Sequence, residues 1–266
     1  MLSVEHLAKN FGTLKAVQNL SFEIKDGEIL GLVGQNGSGK TTTFRMLLGL
    51  MQPTAGKVLW NCEKIGEKQK DLIGYLPEER GLYPKETIEQ QVMYFGKLRG
   101  KAPREIKEKL DYWMDHLQVK GKKNDRIKSL SKGNQQKVQL ITTLIHEPKL
   151  VILDEPFSGL DPVNAQIMQD AIIALRKQGS CVIFSSHNMA NVEQICDRLV
   201  MIKDGRQVLA GKVQDIKDSF GKIKVFLESP LTTAEVQAVP GVVAVKERGR
   251  RLEVTLSDPA AGRELF

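Results

Sequence analysis

The apolar positions near the start of the chain fall in short runs at residues 2–7, 20–24 and 29–33. Runs of this length bounded by turn-forming residues predict strands. Asp26-Gly27 is a tight-turn dipeptide and predicts a hairpin between the second run and the third. At Gly34 the third run enters a glycine-rich loop, and residues 41–50 take a helical period. Pro53 and Gly56 break that pattern, and 57–61 predict another short strand. From Thr87 to about His146 the period is helical. Thr87 and Gln90 have capping-box spacing, and Val92, Phe95 and Leu98 follow on one face. Pro103 stands where a first-turn proline would, and Ile106, Leu110, Trp113 and Leu117 continue a second amphipathic helix. Residues 150–153 and 182–185 are apolar runs separated by a helical stretch, the pattern of neighbouring strands in a parallel sheet.

After Gly221 the rhythm changes. Residues 223–228 alternate as a strand, 232–239 read as a short helix, and Pro240-Gly241 makes a turn. Two strands follow, 242–247 and 252–256, across a turn at Gly249. The order is β-α-β-β, and Ser257-Asp258-Pro259 has the form of another helix start. A split β-α-β unit needs that helix and one more strand to cover its sheet, so the expectation is a natural chain running past Phe266. The predicted division is 1–221, with a helical part at about 87–146, and 222–266 as a small, incomplete α+β domain.

Composition narrows the setting. The 266 residues suffice for one well-cored domain and a smaller appendage. Nowhere does an apolar run approach bilayer-spanning length, and Met1-Leu2-Ser3-Val4-Glu5 lacks the basic and apolar regions of a signal peptide. Cys62, Cys181 and Cys196 are odd in number, far apart and form no C-x-x-C pair, which argues for a reducing, cytosolic setting without a zinc site. The net charge of +7 is concentrated partly in Lys120, Lys122, Lys123, Arg126 and Lys128, and partly in Lys246, Arg248, Arg250 and Arg251. Solvated faces are the first reading of these clusters and an anionic membrane leaflet the second. No nucleic-acid partner is expected, because no aromatic residues interleave with the basic ones as stacking platforms.

Gly34-Gln35-Asn36-Gly37-Ser38-Gly39-Lys40-Thr41 fits the phosphate-loop pattern G-x-x-x-x-G-K-S/T. Glycines allow the backbone to curl so that successive N–H groups face a phosphate chain, and the helix beginning there adds its positive end. Lys40 would reach the β- and γ-phosphates and the Thr41 hydroxyl would hold Mg²⁺. The strand at 150–153 ends in Asp154-Glu155. Two acids after a strand mean little alone, but downstream of such a loop they have work to do. Asp154 would ligate the ion or a water bound to it, and Glu155 would polarise the attacking water.

Further segments resemble the motifs of the ABC ATPase family, in that family's order over roughly residues 2–220. Leu130-Ser131-Lys132-Gly133-Asn134-Gln135-Gln136 looks like its signature sequence, Ser158-Gly159-Leu160-Asp161 like its D-loop, and Ser185-Ser186-His187 like the strand end carrying its switch histidine. Phe11-Gly12, with Ala16-Val17 beyond, resembles the aromatic loop that stacks on adenine. Alone, His187 would be an ordinary strand-end histidine, Phe11 a core residue and Ser131 only a helix cap. The resemblance implies an α/β fold with a RecA-like core, an antiparallel β subdomain and a helical subdomain. It implies ATP and Mg²⁺ as cofactors, with Lys40, Glu155 and His187 catalytic. The nucleotide contacts would be Phe11, Gly34, Asn36, Gly37, Ser38, Gly39, Lys40, Thr41 and Thr42. Ser131 and Gly133 would complete the γ-phosphate site of a second ATPase subunit, the homodimer partner. The metal would be held by Thr41 and Asp154.

Two positions depart from the family pattern. Lys132 stands where the signature usually has glycine and Asn134 where it has glutamine, while Gly133 is kept. In Tyr75-Leu76-Pro77-Glu78-Glu79, Glu78 falls where the Q-loop has a glutamine, so it joins the metal-ligand candidates. The stretch from Leu76 to Tyr83 resembles ATPase subunits of bacterial exporters of the sodium-efflux and drug-resistance type. The expectation is therefore a transport ATPase paired with integral membrane subunits at the cytoplasmic face of the membrane, the alternative being a soluble ABC ATPase outside transport.

Overall fold

In chain order, β1 (Leu2–Phe11), β2 (Leu14–Ile24) and β3 (Ile29–Val33) lead into α1 (Lys40–Leu47), followed by β4 (Ala55–Trp60), β5 (Glu63–Lys64), α2 (Glu67–Lys70) and β6 (Ile73–Leu76). Three helices come next: α3 (Ile88–Leu98), α4 (Pro103–His116) and α5 (Lys132–Leu144). Then follow β7 (Leu150–Leu153), α6 (Pro162–Lys177), β8 (Cys181–Ser186), α7 (Met189–Ile195), β9 (Arg198–Lys203) and β10 (Arg206–Lys212). The computed structural model describes residues 1–79, 81–220, 224–249, 251–257 and 261–262, less the side chains of Glu67, Lys68 and Phe220. It forms two compact units, Met1–Gly211 and Lys212–Phe266.

In the first unit, ten strands make one sheet in the order β5-β4-β1-β2-β10-β9-β3-β8-β7-β6. β3, β7 and β8 are buried at every residue. Such strands need helices over both faces and parallel neighbours. β3 pairs in parallel with β8 and β9, and β7 with β8 and β6, while α5, α6 and α7 pack against this part of the sheet. The register sets Val33 beside Ser186 and Leu153 beside Phe184. β3, β8 and β7 therefore end together, and the segments that follow them emerge at one edge, where parallel sheets bind their ligands.

The other half of the sheet is antiparallel, with β1 between β2 and β4. The apolar runs at 2–7 and 20–24 mark only part of β1 and β2. Register shifts between Val4 and Leu7 and beyond interrupt the alternation that would have shown their full length. The Asp26-Gly27 turn is present, with Gly27 at φ 70°, yet β2 and β3 do not pair. β3, apolar on both faces, fits between β9 and β8 in the parallel core, while β2 keeps a half-solvated face beside β1.

The helical stretch forms as its caps dictate. The Thr87 side chain accepts from the Gln90 N–H while the Gln90 side chain accepts from the Thr87 N–H, and Pro103 opens α4. α3, α4 and α5 pack together, and Val92, Ile106, Leu110, Val138 and Leu140 along them are buried.

The second unit comprises α8 (Val213–Phe220), β11 (Lys224–Leu227), α9 (Thr233–Gln237), β12 (Val242–Arg248) and β13 (Arg251–Leu256). Its sheet is antiparallel in the order β11-β13-β12, with a core of Leu227, Val236, Val254 and Leu256. The division falls after Gly211 rather than after 221, because α8 groups with this unit. The helix start expected at Ser257-Asp258-Pro259 runs into residues outside the described ones.

Candidate nucleotide site

The loop between β3 and α1 is shaped by close backbone approach. Gly39, the residue before α1, has φ 108°, and a Cβ there would stand 2.5 Å from the Ala16 carbonyl oxygen. A Cβ on Gly34 would stand 2.3 Å from Ser38 Oγ and 2.5 Å from the Ile202 carbonyl oxygen. Neither position accepts a side chain without displacing its neighbours.

Lys40 and Thr41 open α1 and point at the end of β7. Lys40 is only 6% exposed; its Nζ donates to the carbonyl oxygens of Gly34 at 2.7 Å and Gln35 at 3.2 Å, and lies 3.6 Å from Glu155 Oε1. Thr41 Oγ1 donates to Asp154 Oδ2 at 2.9 Å. The other Asp154 oxygen accepts from Ser185 Oγ at 2.6 Å, and the same Ser185 oxygen accepts from the Glu155 N–H at 2.8 Å. His187 Nδ1 is 3.0 Å from Glu155 Oε2. Among the described residues, Glu155 Oε1, although buried, has no hydrogen-bond partner.

These groups face a cavity of about 480 Å³. Its floor is Asn36, Gly37, Gly39, Lys40, Thr41 and Thr42, with Asp154, Glu155 and Glu78 on the side. Phe11, Leu14 and Ala16 line its apolar end. Phe11 is 45% exposed, and Lys9 Nζ sits 5.4 Å from its ring centroid, close enough for a cation–π contact. Gly34, Ser38 and His187 line a neighbouring cavity of about 380 Å³. Burial, and after it the nearby Asp154, pushes the Tyr75 hydroxyl up to about 12, so it stays a neutral phenol beside the site.

Ser131 and Gly133 line neither cavity. Ser131 caps α5, accepting from the Asn134 N–H at 3.3 Å and from Asn134 Nδ2 at 3.0 Å, and it is exposed together with Lys132. Gly133 packs against Asn164, whose N–H is held by Asp161, the cap of α6. The Asn164 N–H, with its side-chain amide, holds the Asp161 carboxyl below its ordinary range.

Sequence reasoning passed over Ser185 and Lys9. Ser185 could have been found from the strands: placing 150–153 and 182–185 side by side in parallel sets it next to Asp154. Lys9 lies two residues before Phe11 on a strand, hence on the same face.

The arrangement is a buried cation, Lys40, with the buried carboxylates Asp154 and Glu155 and the less buried Glu78 around a glycine-lined hollow with an apolar end. It suits a polyphosphate carrying a flat apolar group. Residues 17–158 match the ABC transporter family. The chain is an ABC transporter ATP-binding protein. Residues 211–266 match the C-terminal domain of ATP-binding proteins of the DrrA1-3 type. Over 266 residues the chain is 41% identical to the uncharacterized ABC transporter ATP-binding protein YhaQ of Bacillus subtilis, covering 100% of this chain and 89% of that one. It is 33% identical to the linearmycin resistance ATP-binding protein LnrL of the same organism, covering 83% and 72%. Among solved structures, cbiO1 of Clostridium perfringens, part of the transporter complex cbiONQ, superposes with a TM-score of 0.73 at 29% identity, covering 81% and 89%. The fold is thus that of the ABC ATPases, and the activity is ATP hydrolysis coupled to transport. Among the described residues no helix is long and apolar enough to cross a membrane.

Proposed function

We propose that this chain is the MgATP-hydrolysing motor of an exporter, docked on integral membrane subunits at the cytoplasmic face. The observation that supports it best is the Glu155 carboxylate, held between Lys40 and His187 at the rim of the phosphate-sized hollow, with Oε1 free of hydrogen bonds among the described residues.

In this reading adenine stacks on Phe11 and the phosphates lie along the N–H groups of residues 36–42. Lys40 exchanges its loop carbonyls and Glu155 for β- and γ-phosphate oxygens. Mg²⁺ fits the oxygen donors present, since it is commonly bound by one or two protein oxygens and completes its shell with phosphates and water. Thr41 Oγ1 and Asp154 Oδ2, already 2.9 Å apart, are the pair that would hold it, with Glu78 available from the side. The ion would neutralise phosphate charge as the γ-phosphoryl leaves. Glu155 Oε1 takes the proton of the attacking water as its oxygen bonds to the γ-phosphorus and the bridge to ADP breaks. His187, 60% exposed at its side chain, keeps the carboxylate aimed and reaches toward the γ-phosphate.

The exposed cap of α5, with Ser131 and Gly133, fits the same reading as the lid of a second copy's nucleotide, its hydroxyl and helix N–H groups meeting the γ-phosphate across the dimer. Export as the direction is supported by the resistance function in LnrL's name and by the Leu76–Tyr83 stretch. The decisive experiment is Glu155→Gln. It should bind ATP, hydrolyse it at least ~100-fold more slowly, as loss of a general base does, and accumulate an ATP-held dimer. Near-normal turnover would overturn the assignment.

A further inference from the structure

Ser185 is fully buried at the end of β8, and its hydroxyl uses both of its capacities. It accepts from the Glu155 N–H at 2.8 Å and donates to Asp154 Oδ1 at 2.6 Å. A backbone N–H has only a donor to offer, so the Ser185 hydrogen is forced toward the Asp154 carboxylate. Thr41 holds that carboxylate's other oxygen. The result is a directed chain from the Glu155 backbone through Ser185 to Asp154, met by Thr41 from the opposite side.

The Glu155 backbone makes this consequential. Its φ is +48°, in the left-handed region that non-glycine residues enter rarely and hold only when their surroundings impose it. The left-handed residue comes two positions after the end of β7, and there the Glu155 carboxylate stands beside Lys40 and His187. The Ser185 bond to the Glu155 N–H is placed to hold that conformation.

We propose that Ser185 is a positioning residue for hydrolysis, locking the backbone of Glu155 in the geometry that aims its carboxylate while fixing the rotation of Asp154. The inference rests on the roles given above to Glu155 and Asp154. Ser185 is fully buried and lines neither cavity, so its removal should lower turnover and spare nucleotide binding.

The test uses the full chain assembled with its membrane subunits, and compares Ser185→Ala, Ser185→Thr and Ser185→Cys with the parent and with Glu155→Gln. A misplacement of this kind lowers turnover on the order of 100-fold. Ser185→Ala should show that loss in kcat, with KM and metal-free ATP affinity within about threefold of the parent. Ser185→Thr keeps the hydroxyl and should recover most of the rate. Ser185→Cys fills the same space with a weak donor and acceptor, so it separates hydrogen bonding from packing even if Ser185→Ala does not fold. Its kcat should fall about tenfold, as a general base acts with reduced efficiency when misaligned. Deuterium exchange at the Glu155 amide should quicken in the alanine and cysteine variants and stay slow in the threonine one. Parent-like kcat in the alanine or cysteine variant overturns the proposal, as does an equal loss in alanine and threonine, or ATP affinity falling in step with kcat. An inactive Glu155→Gln beside an unimpaired Ser185→Ala sinks this inference alone, whereas an active Glu155→Gln sinks the parent reading and the inference with it.

Discussion

Lys40 and Glu155 form a buried ion pair whose strength can be measured without nucleotide. Both side chains are nearly sealed from solvent, at 6% and 7% exposure, and 3.6 Å separates Nζ from Oε1. At an effective dielectric of about 20, unit charges at that distance attract by roughly 4.6 kcal/mol, and desolvation of both groups opposes part of it. The Lys40 bonds to the Gly34 and Gln35 carbonyls also vanish on substitution, but a double-mutant cycle cancels them and leaves the pair term. Lys40→Met should destabilise the free chain by about 3–5 kcal/mol, the usual cost of stranding a buried charge. In a Glu155→Gln background the same change should cost at least about 2 kcal/mol less.

The assay is urea unfolding of the four proteins, nucleotide-free, followed by tryptophan fluorescence. Both tryptophans, Trp60 and Trp113, belong to Met1–Gly211, so the signal reports the unit that contains the pair. Effects that add to within ~0.5 kcal/mol would refute the coupling. They would also remove the idea that arriving phosphate must compete with Glu155 for Lys40. If that competition exists, Glu155→Gln should bind ATP several-fold more tightly than the parent, a difference of about 1 kcal/mol.

Three further outcomes are expected. Ser131→Ala should cost α5 about 1 kcal/mol through loss of its cap, and should weaken the ATP-held dimer of a Glu155→Gln background in size-exclusion runs; an unchanged dimer would count against the shared site. Glu78→Gln should keep ATP binding and hydrolyse at or above the parent rate, because it removes a negative charge beside the phosphates, while Glu78→Ala should uncouple hydrolysis from transport; a slowed glutamine variant would contradict this. Burial holds the His146 imidazole down to about 4, against an unfolded value near 6.5, so the fold favours its neutral form. That contribution is whole above about pH 6.5 and is lost as pH falls toward 4, by up to about 3 kcal/mol, and His146→Gln should flatten this slope in urea titrations at pH 7 and pH 4.5.

The parts of the fold legible in the sequence are those whose burial is one-sided in no direction or whose ends carry side-chain caps. Residues 150–153 are apolar on both faces and become β7 to the residue. Thr87 with Gln90, and Pro103, mark the starts of α3 and α4 because their side chains or rings supply what a helix terminus lacks. β1 and β2 were harder, since register shifts scramble the alternation of a half-solvated pair. The Asp26-Gly27 turn misled for a related reason. A dipeptide specifies a local reversal, whereas which strand pairs with β3 is decided by the apolar surface on both of its faces.

The site divides along the same line. Lys40, Thr41, Asp154, Glu155 and His187 could be named from local motifs because each lies where a strand gives way to a loop or helix. What brings Thr41 to Asp154, and Lys40 and His187 to Glu155, is sheet order, which puts β8 between β3 and β7 although β3 and β8 are some 150 residues apart in the chain. Ser185 shows the consequence. Nothing in the triplet Ser185-Ser186-His187 distinguishes the first serine from the second. In β8, alternate side chains face opposite sides of the sheet, so Ser185 Oγ reaches Asp154 while Ser186 Oγ turns to cap the Asn188 N–H. The two hydroxyls differ only through the register of β8 against β7. A one-residue slip of that pairing would exchange their surroundings, take the hydrogen bond from the Glu155 N–H and leave its left-handed backbone without that support.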